Sequence, residues 1–143
     1  MKSAADGRVC VAPTRFLIQE KVYDQFVAKF TDATKAIKVG DGLDKDTTMG
    51  PLANPRRLDA MEAIVNDSKA RGGKIVTGGK RRGNQGYFFE PTVITDVPDD
   101  SKIMTEEPFG PVVPIVRFKS FDEVVERAVR FGRPHLRSRH ETP

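Results

Sequence analysis

The stretch Thr105-Glu106-Glu107-Pro108-Phe109-Gly110-Pro111-Val112 constrains this chain more than any other. Two prolines and a glycine around one aromatic residue cannot continue a helix, because each proline lacks an N–H and has its φ fixed. The stretch is therefore a shaped loop that feeds the apolar run Val112 to Val116 and presents a carboxylate pair and a ring at the mouth of a strand. Pro114 inside that run demotes it from a clean central strand unless it stands at a bulge or a strand start.

On either side of the loop, strand and helix signals alternate. Arg15-Phe16-Leu17-Ile18-Gln19 is a short apolar run between Pro13 and Glu20-Lys21, which suits a buried strand. From Lys21 to about Lys38, Val22, Phe26, Phe30, Ala33 and Ile37 recur at helical steps, so an amphipathic helix is expected with that face inward. Gly40-Asp41-Gly42 stops it, and residues 40–54 read as a loop. Asn54 before Pro55 is an N-cap followed by proline at the first helical position, where the missing N–H does no harm. That second helix runs to about Arg71 with Leu58, Met61, Ile64, Val65 and, at its end, Ala70 inward, and Gly72-Gly73 closes it.

Lys74 to Thr77 is a short strand, Gly78-Gly79-Lys80 a turn, and Arg81 to Gly86 a basic, mobile surface loop. Tyr87-Phe88-Phe89 and Thr92-Val93-Ile94 flank Pro91, which predicts a broken or edge strand. Asp99-Asp100-Ser101 caps one turn that ends before Glu106. Phe121 to Ala128 reads as a helix with Phe121, Val124, Val125 and Ala128 on one face. The whole is an α/β domain, a layered, parallel-rich sheet with flanking helices and no internal repeat.

The chain has one domain's worth of residues, 38% hydrophobic and 31% charged, as in an ordinary soluble protein. No apolar run approaches the roughly 20 residues that cross a bilayer, so no membrane role is expected. Met1 to Asp6 lacks the apolar core of a secretory signal, which makes the cytoplasm the default compartment. A lone cysteine, Cys10, closes no disulfide within the chain and is either a buried small hydrophobe or a reactive thiol. Half of the net charge of +4 comes from residues 133–143, where Arg133, Arg137 and Arg139 face only Glu141, so basicity is no argument for nucleic acid. His135 and His140 have no ligand cluster at metal spacing, and no metal is expected. There is no G-x-G-x-x-G, and a P-loop reading of Gly73 to Gly78 fails because Gly79 stands where lysine is required.

Gly7-Arg8-Val9-Cys10, then Val11-Ala12-Pro13-Thr14-Arg15-Phe16, and Glu107-Pro108-Phe109-Gly110-Pro111 beginning 97 residues after the cysteine, resemble the catalytic domain of the NAD(P)-dependent aldehyde dehydrogenases. The likeness extends from about Gly7 to about Gly132 and takes in Gly40-Asp41-Gly42-Leu43, Met49-Gly50-Pro51-Leu52, Gly78-Gly79-Lys80 and Phe89-Glu90-Pro91-Thr92-Val93. Several motifs in the family's order make it specific. Arg8 departs from the pattern, since the family usually carries glutamine there, and nothing after Gly132 matches. The expectation is an incomplete aldehyde dehydrogenase catalytic domain over residues 1–132 and a non-matching, disordered tail over 133–143.

The resemblance implies roles that the residues alone do not reveal. Cys10 would be the nucleophile, its thiolate adding to an aldehyde carbonyl to give a thiohemiacetal; hydride transfer to NAD or NADP then leaves a thioester that water cleaves to the acid. Its own backbone N–H would help hold the oxyanion, and Arg8 either lowers the thiol pKa or points to solvent. Glu107, in isolation a surface carboxylate, would accept hydrogen bonds from the nicotinamide ribose hydroxyls. Phe109, in isolation a core residue, would lie beside the nicotinamide ring, whereas Glu106 is structural. The substrate would be an aldehyde, with semialdehydes included, and because the family is oligomeric, self-association through exposed edges is expected. In the family, the cofactor domain, the general-base Glu-Leu-Gly-Gly motif and the oxyanion-hole asparagine all precede the catalytic cysteine. The alternative reading is therefore a truncated, catalytically silent fragment that acts at most as a packing or interaction module.

Overall fold

A computed structural model describes residues 13–131. Its elements in chain order are β1 (Phe16–Gln19), α1 (Glu20–Lys35), α2 (Pro55–Ala70), β2 (Lys74–Thr77), β3 (Thr92–Thr95), α3 (Lys102–Thr105), β4 (Val112–Phe118) and α4 (Phe121–Phe131). The strands form one sheet in the order β1-β4-β3-β2. β1 and β3 run parallel to β4, and β2 runs antiparallel to β3, so the expected parallel-rich α/β layering is what forms.

The sheet is covered on both faces, and side-chain alternation sorts the core into two halves. Leu17, Ile94, Val112 and Val116 face α2 and α3, where they meet Leu58, Met61, Ile64, Val65, Ile103 and Met104. Phe16, Ile18, Val93, Val113 and Ile115 face α1 and meet Tyr23, Phe26, Val27 and Phe30. This two-sided burial is why β3 and β4 read as unbroken apolar runs rather than as alternating ones.

Several expectations are corrected. Thr92 to Thr95 is neither an edge nor a broken strand: β3 is interior and buried along its whole length. β4 is interior as well, with Pro114 buried in it. The β1 ladder begins at Phe16↔Ile115, one residue past Pro114, so on that side the proline's missing N–H has no partner to lose. The inward face of α1 is turned from the expected one: Tyr23, Thr31 and Thr34 are buried while Val22 and Ala33 are exposed. Tyr23 prevails because its ring fills the core while its hydroxyl donates to the Ile115 carbonyl at 2.8 Å. The face predicted for α4 is mostly outward, with Phe121, Val125 and Ala128 exposed and Val124 half-buried. No residue of that helix is buried and Phe121 is 78% exposed, because Arg127 and Arg130 bind Asp99 and orient the helix from its other side.

α2 forms as expected over most of its length. Asn54 Oδ1 accepts from the Arg57 N–H at 3.1 Å, and Leu58, Met61, Ile64 and Val65 are buried, but Ser68 rather than Ala70 closes the inward stripe. Ser68 can be buried because its hydroxyl donates to the Ile64 carbonyl at 2.8 Å. The basic loop after β2 is tied down on two sides: Arg81 bridges Asp59 and Glu62 on α2, its pKa raised chiefly by the hydrogen bond to Glu62, and the Arg82 N–H donates to the Phe88 carbonyl at 2.9 Å. The short α3 takes its cap from outside: Ser101 makes no side-chain cap, and Asp67 Oδ2 accepts from the Lys102 N–H at 2.9 Å.

Two stability effects follow. Gly78 has φ +72° and a Cβ there would lie 2.3 Å from the Pro91 carbonyl oxygen; left-handed strain and overlap together should make Gly78→Ala cost about 2 kcal/mol or more, read as a lower urea midpoint. The Asp67 pKa is lowered, first by the Lys102 N–H and then by Arg71. A depressed carboxylate stabilises the fold above its unfolded pKa of about 3.9 and loses that contribution as pH falls through the folded value. Asp67→Asn is therefore expected to lower Tm at neutral pH, and the gap to the parent should close on acidification below about pH 4; parallel melts across pH measure it.

Candidate functional site

The loop from Glu106 to Pro111 is held from several directions. At its start, the Glu106 N–H donates to the Lys102 carbonyl at 2.7 Å as α3 ends. The Glu106 carbonyl accepts from Arg15 Nη2 at 2.9 Å, and the Pro108 carbonyl faces Arg57 Nη1 at 3.5 Å. Pro108, Gly110 and Pro111 are buried. A Cβ on Gly110 would fall 2.3 Å from Met61 Sδ, so a larger residue there would have to displace that side chain in the core. At its end, the Pro111 carbonyl accepts from the Thr92 N–H at 2.7 Å, joining the loop to β3.

Between those buried points the chain turns its two candidate side chains outward. Glu107 is exposed, and Phe109 is 41% exposed with φ +43°. A left-handed conformation is costly for a bulky side chain and gathers at functional positions. Phe109 is thus not the core residue that its apolarity alone would predict. It is an aromatic ring held at the surface by a strained backbone.

Beside the loop lies a pocket of about 230 Å³. Pro13 and Thr14 form one wall, Pro108, Gly110 and Pro111 another, and Phe30 with Thr34 of α1 closes a third. None of the described residues that line it is ionisable. Glu107 and Phe109 are not part of the lining, so the pocket is an apolar recess next to the arm that carries them. Cys10 lies outside the described residues. The chain that follows it is described from Pro13, and the parallel pairing of β1 with β4 brings that chain to the same end of the sheet as the acidic loop.

Arg15 and Arg57, which grip the loop, were missed by sequence reasoning. Arg15 is half-buried, and burial lowers its pKa while the Glu107 carboxylate opposes that fall. A cation at the threshold of an otherwise apolar strand was the available signal. Arg57 carried none, since on a helix surface it reads as solvated. Among the described residues there is no group of three or more metal-binding side chains, and no helix is long and apolar enough to cross a membrane.

This arrangement agrees with three comparisons. The sequence profile of the aldehyde dehydrogenase family matches residues 2–130. Mitochondrial succinate-semialdehyde dehydrogenase of Rattus norvegicus is 45% identical over 120 residues, which is 83% of this chain and 23% of that protein. A probable NADP(+)-dependent succinate-semialdehyde dehydrogenase of Sinorhizobium fredii is 42% identical over 122 residues, covering 85% of this chain and 25% of that one. Among solved structures, succinate-semialdehyde dehydrogenase from Burkholderia pseudomallei superposes with a TM-score of 0.84 at 41% identity, over 86% of this chain and 26% of its own. The NAD+ complex of aldehyde dehydrogenase from Bacillus cereus gives 0.82 at 38% identity, over 86% and 25%. The chain thus spans about a quarter of the length of the curated relatives it matches. With the profile covering most of its residues and the fold repeated in solved relatives, this chain belongs to the aldehyde dehydrogenase family.

Proposed function

We propose that residues 1–132 contribute the thiol and the ribose-binding arm of an NAD(P)-dependent aldehyde dehydrogenase, with 133–143 as a tail outside that unit. The observation that carries this reading is the meeting, at one end of the sheet, of the segment that follows Cys10 and the loop that bears Glu107 and Phe109. Pro13 stands three positions after Cys10, a span of at most about 11 Å of extended chain.

The residues fit the cofactor. Glu107 is an exposed, acceptor-only carboxylate suited to two ribose hydroxyls, and Phe109 offers a flat ring two positions on. When bound, the nicotinamide supplies the hydride acceptor. The chain's own part would be the addition of the Cys10 thiolate to the carbonyl carbon: a C–S bond forms, the C=O π pair moves to oxygen, and the Cys10 N–H would receive the oxyanion. The apolar recess suits the uncharged carbon chain of an aldehyde, and the semialdehyde names of the relatives support that class of substrate. Both NAD and NADP fit the reading, and the proposed compartment is the cytoplasm.

A second reading has its own support. The described pocket lining holds no base to take a proton from attacking water, and α4 shows solvent the stripe Phe121, Val125 and Val129. Both favour a catalytically silent packing module that associates through exposed apolar surface.

Titration of NAD+ and NADP+ into the chain tests the first reading. Hydrogen bonds to a charged group are worth roughly 1.5–3 kcal/mol, so Glu107→Ala is expected to raise Kd about tenfold or more. An unchanged Kd, or no binding by the parent chain, overturns the assignment. Steady NADH formation from an aliphatic semialdehyde, lost in Cys10→Ser, would reject the silent alternative.

A further inference from the structure

Arg15 is anomalous where it stands. It is a permanent cation directly before Phe16-Leu17-Ile18, half-buried, and its Nη2 donates to a carbonyl 91 residues further along the chain. Its Nε is enclosed without a hydrogen-bond partner among the described residues. Enclosing a guanidinium with one donor unmet opposes folding, so packing alone is a poor reason for arginine at this position. The backbone ladder between β1 and β4 starts only at Phe16↔Ile115. Upstream of that pair the two chains diverge into the pocket walls, Pro13-Thr14 on one side and Pro108 to Pro111 on the other, and the Arg15 side chain reaches across where the ladder does not. Its partner is the residue directly before Glu107, and its charge interacts with the Glu107 carboxylate.

We propose that Arg15 is a positioning residue, whose guanidinium sets the Glu107–Phe109 arm against the segment that follows Cys10. The choice of arginine is chemical. A guanidinium presents several N–H donors in one rigid plane, so one can hold the Glu106 carbonyl while the charge stays beside Glu107, whereas the ammonium of lysine is a point charge on a flexible stem. Arg15 touches neither substrate nor cofactor in this role; it acts through Glu107. For its functional consequence the inference rests on the proposed contact of Glu107 with ribose.

Amide hydrogen exchange of the whole chain tests it without cofactor. In Arg15→Ala, exchange at Glu106, Glu107, Phe109 and Gly110 is expected to accelerate about tenfold, the loss of one charge-assisted hydrogen bond, while Val93 and Ile94 of β3 keep their protection. Arg15→Lys, which keeps the charge, should fold and restore less than half of the lost loop protection. Unchanged exchange in the loop, an equal loss in loop and β3, or full recovery with lysine would each overturn the proposal. A dinucleotide titration separates the two claims. A parent chain that binds, with Arg15→Ala weakened about tenfold, supports both. Binding unaltered by Arg15→Ala defeats the positioning role alone, and no binding by the parent defeats the ribose contact while the exchange data still decide the Arg15 tie.

Discussion

The parallel pairing of Phe16–Gln19 with Ile115–Phe118 is the contact on which the rest depends. Parallel neighbours start at the same end of a sheet. The chain leading into β1 and the loop leading into β4 are therefore side by side, although about two-thirds of the protein lies between them in sequence. Tyr23 reinforces that pairing from above, its hydroxyl reaching the Ile115 carbonyl and its ring stacked under Arg117 at 4.2 Å. Without this ladder neither the pocket walls nor the Arg15 bridge would exist.

Local chemistry was the legible part of the fold. The α2 boundaries followed from Asn54, Pro55 and Gly72, each of which acts on the backbone within its own turn. β2 followed from the run Ile75-Val76-Thr77 and the glycines after it. What could not be read was decided by partners distant in sequence. Whether Thr92–Thr95 is an edge depends on which strands flank it, and the Pro91 signal is silent on that. The rotation of α1 depends on a carbonyl of β4, which no helical period can anticipate. The apolar stripe on α4 was a true amphipathic signal, but the arginines opposite it found Asp99 and set the helix down on its charged side.

The site was legible as a motif more than as a geometry. A loop of proline, phenylalanine and glycine after two glutamates announces a fixed shape, and the structure gives the reason for each member: buried prolines, a glycine against Met61, and a phenylalanine in left-handed backbone. Glu107 read correctly as a surface carboxylate, but the outward direction of Phe109 was invisible from its apolarity, because it follows from which flanking residues sink into the core. Arg15 was hidden for a related reason: its importance lies in a backbone oxygen contributed by a residue that nothing nearby in the chain points to. Membership of the aldehyde dehydrogenase family accounts for the motifs being present together.

The strand order also dictates a timetable during synthesis. A ribosome makes β1 well before its sheet neighbour β4, and contacts between distant residues form slowly because loop closure must precede them. The nascent chain must therefore carry Phe16, Phe26 and Phe30 unburied on one side until Val113 and Ile115 emerge to meet them. During that interval the half-made protein is a natural client for chaperones that hold exposed aromatic segments.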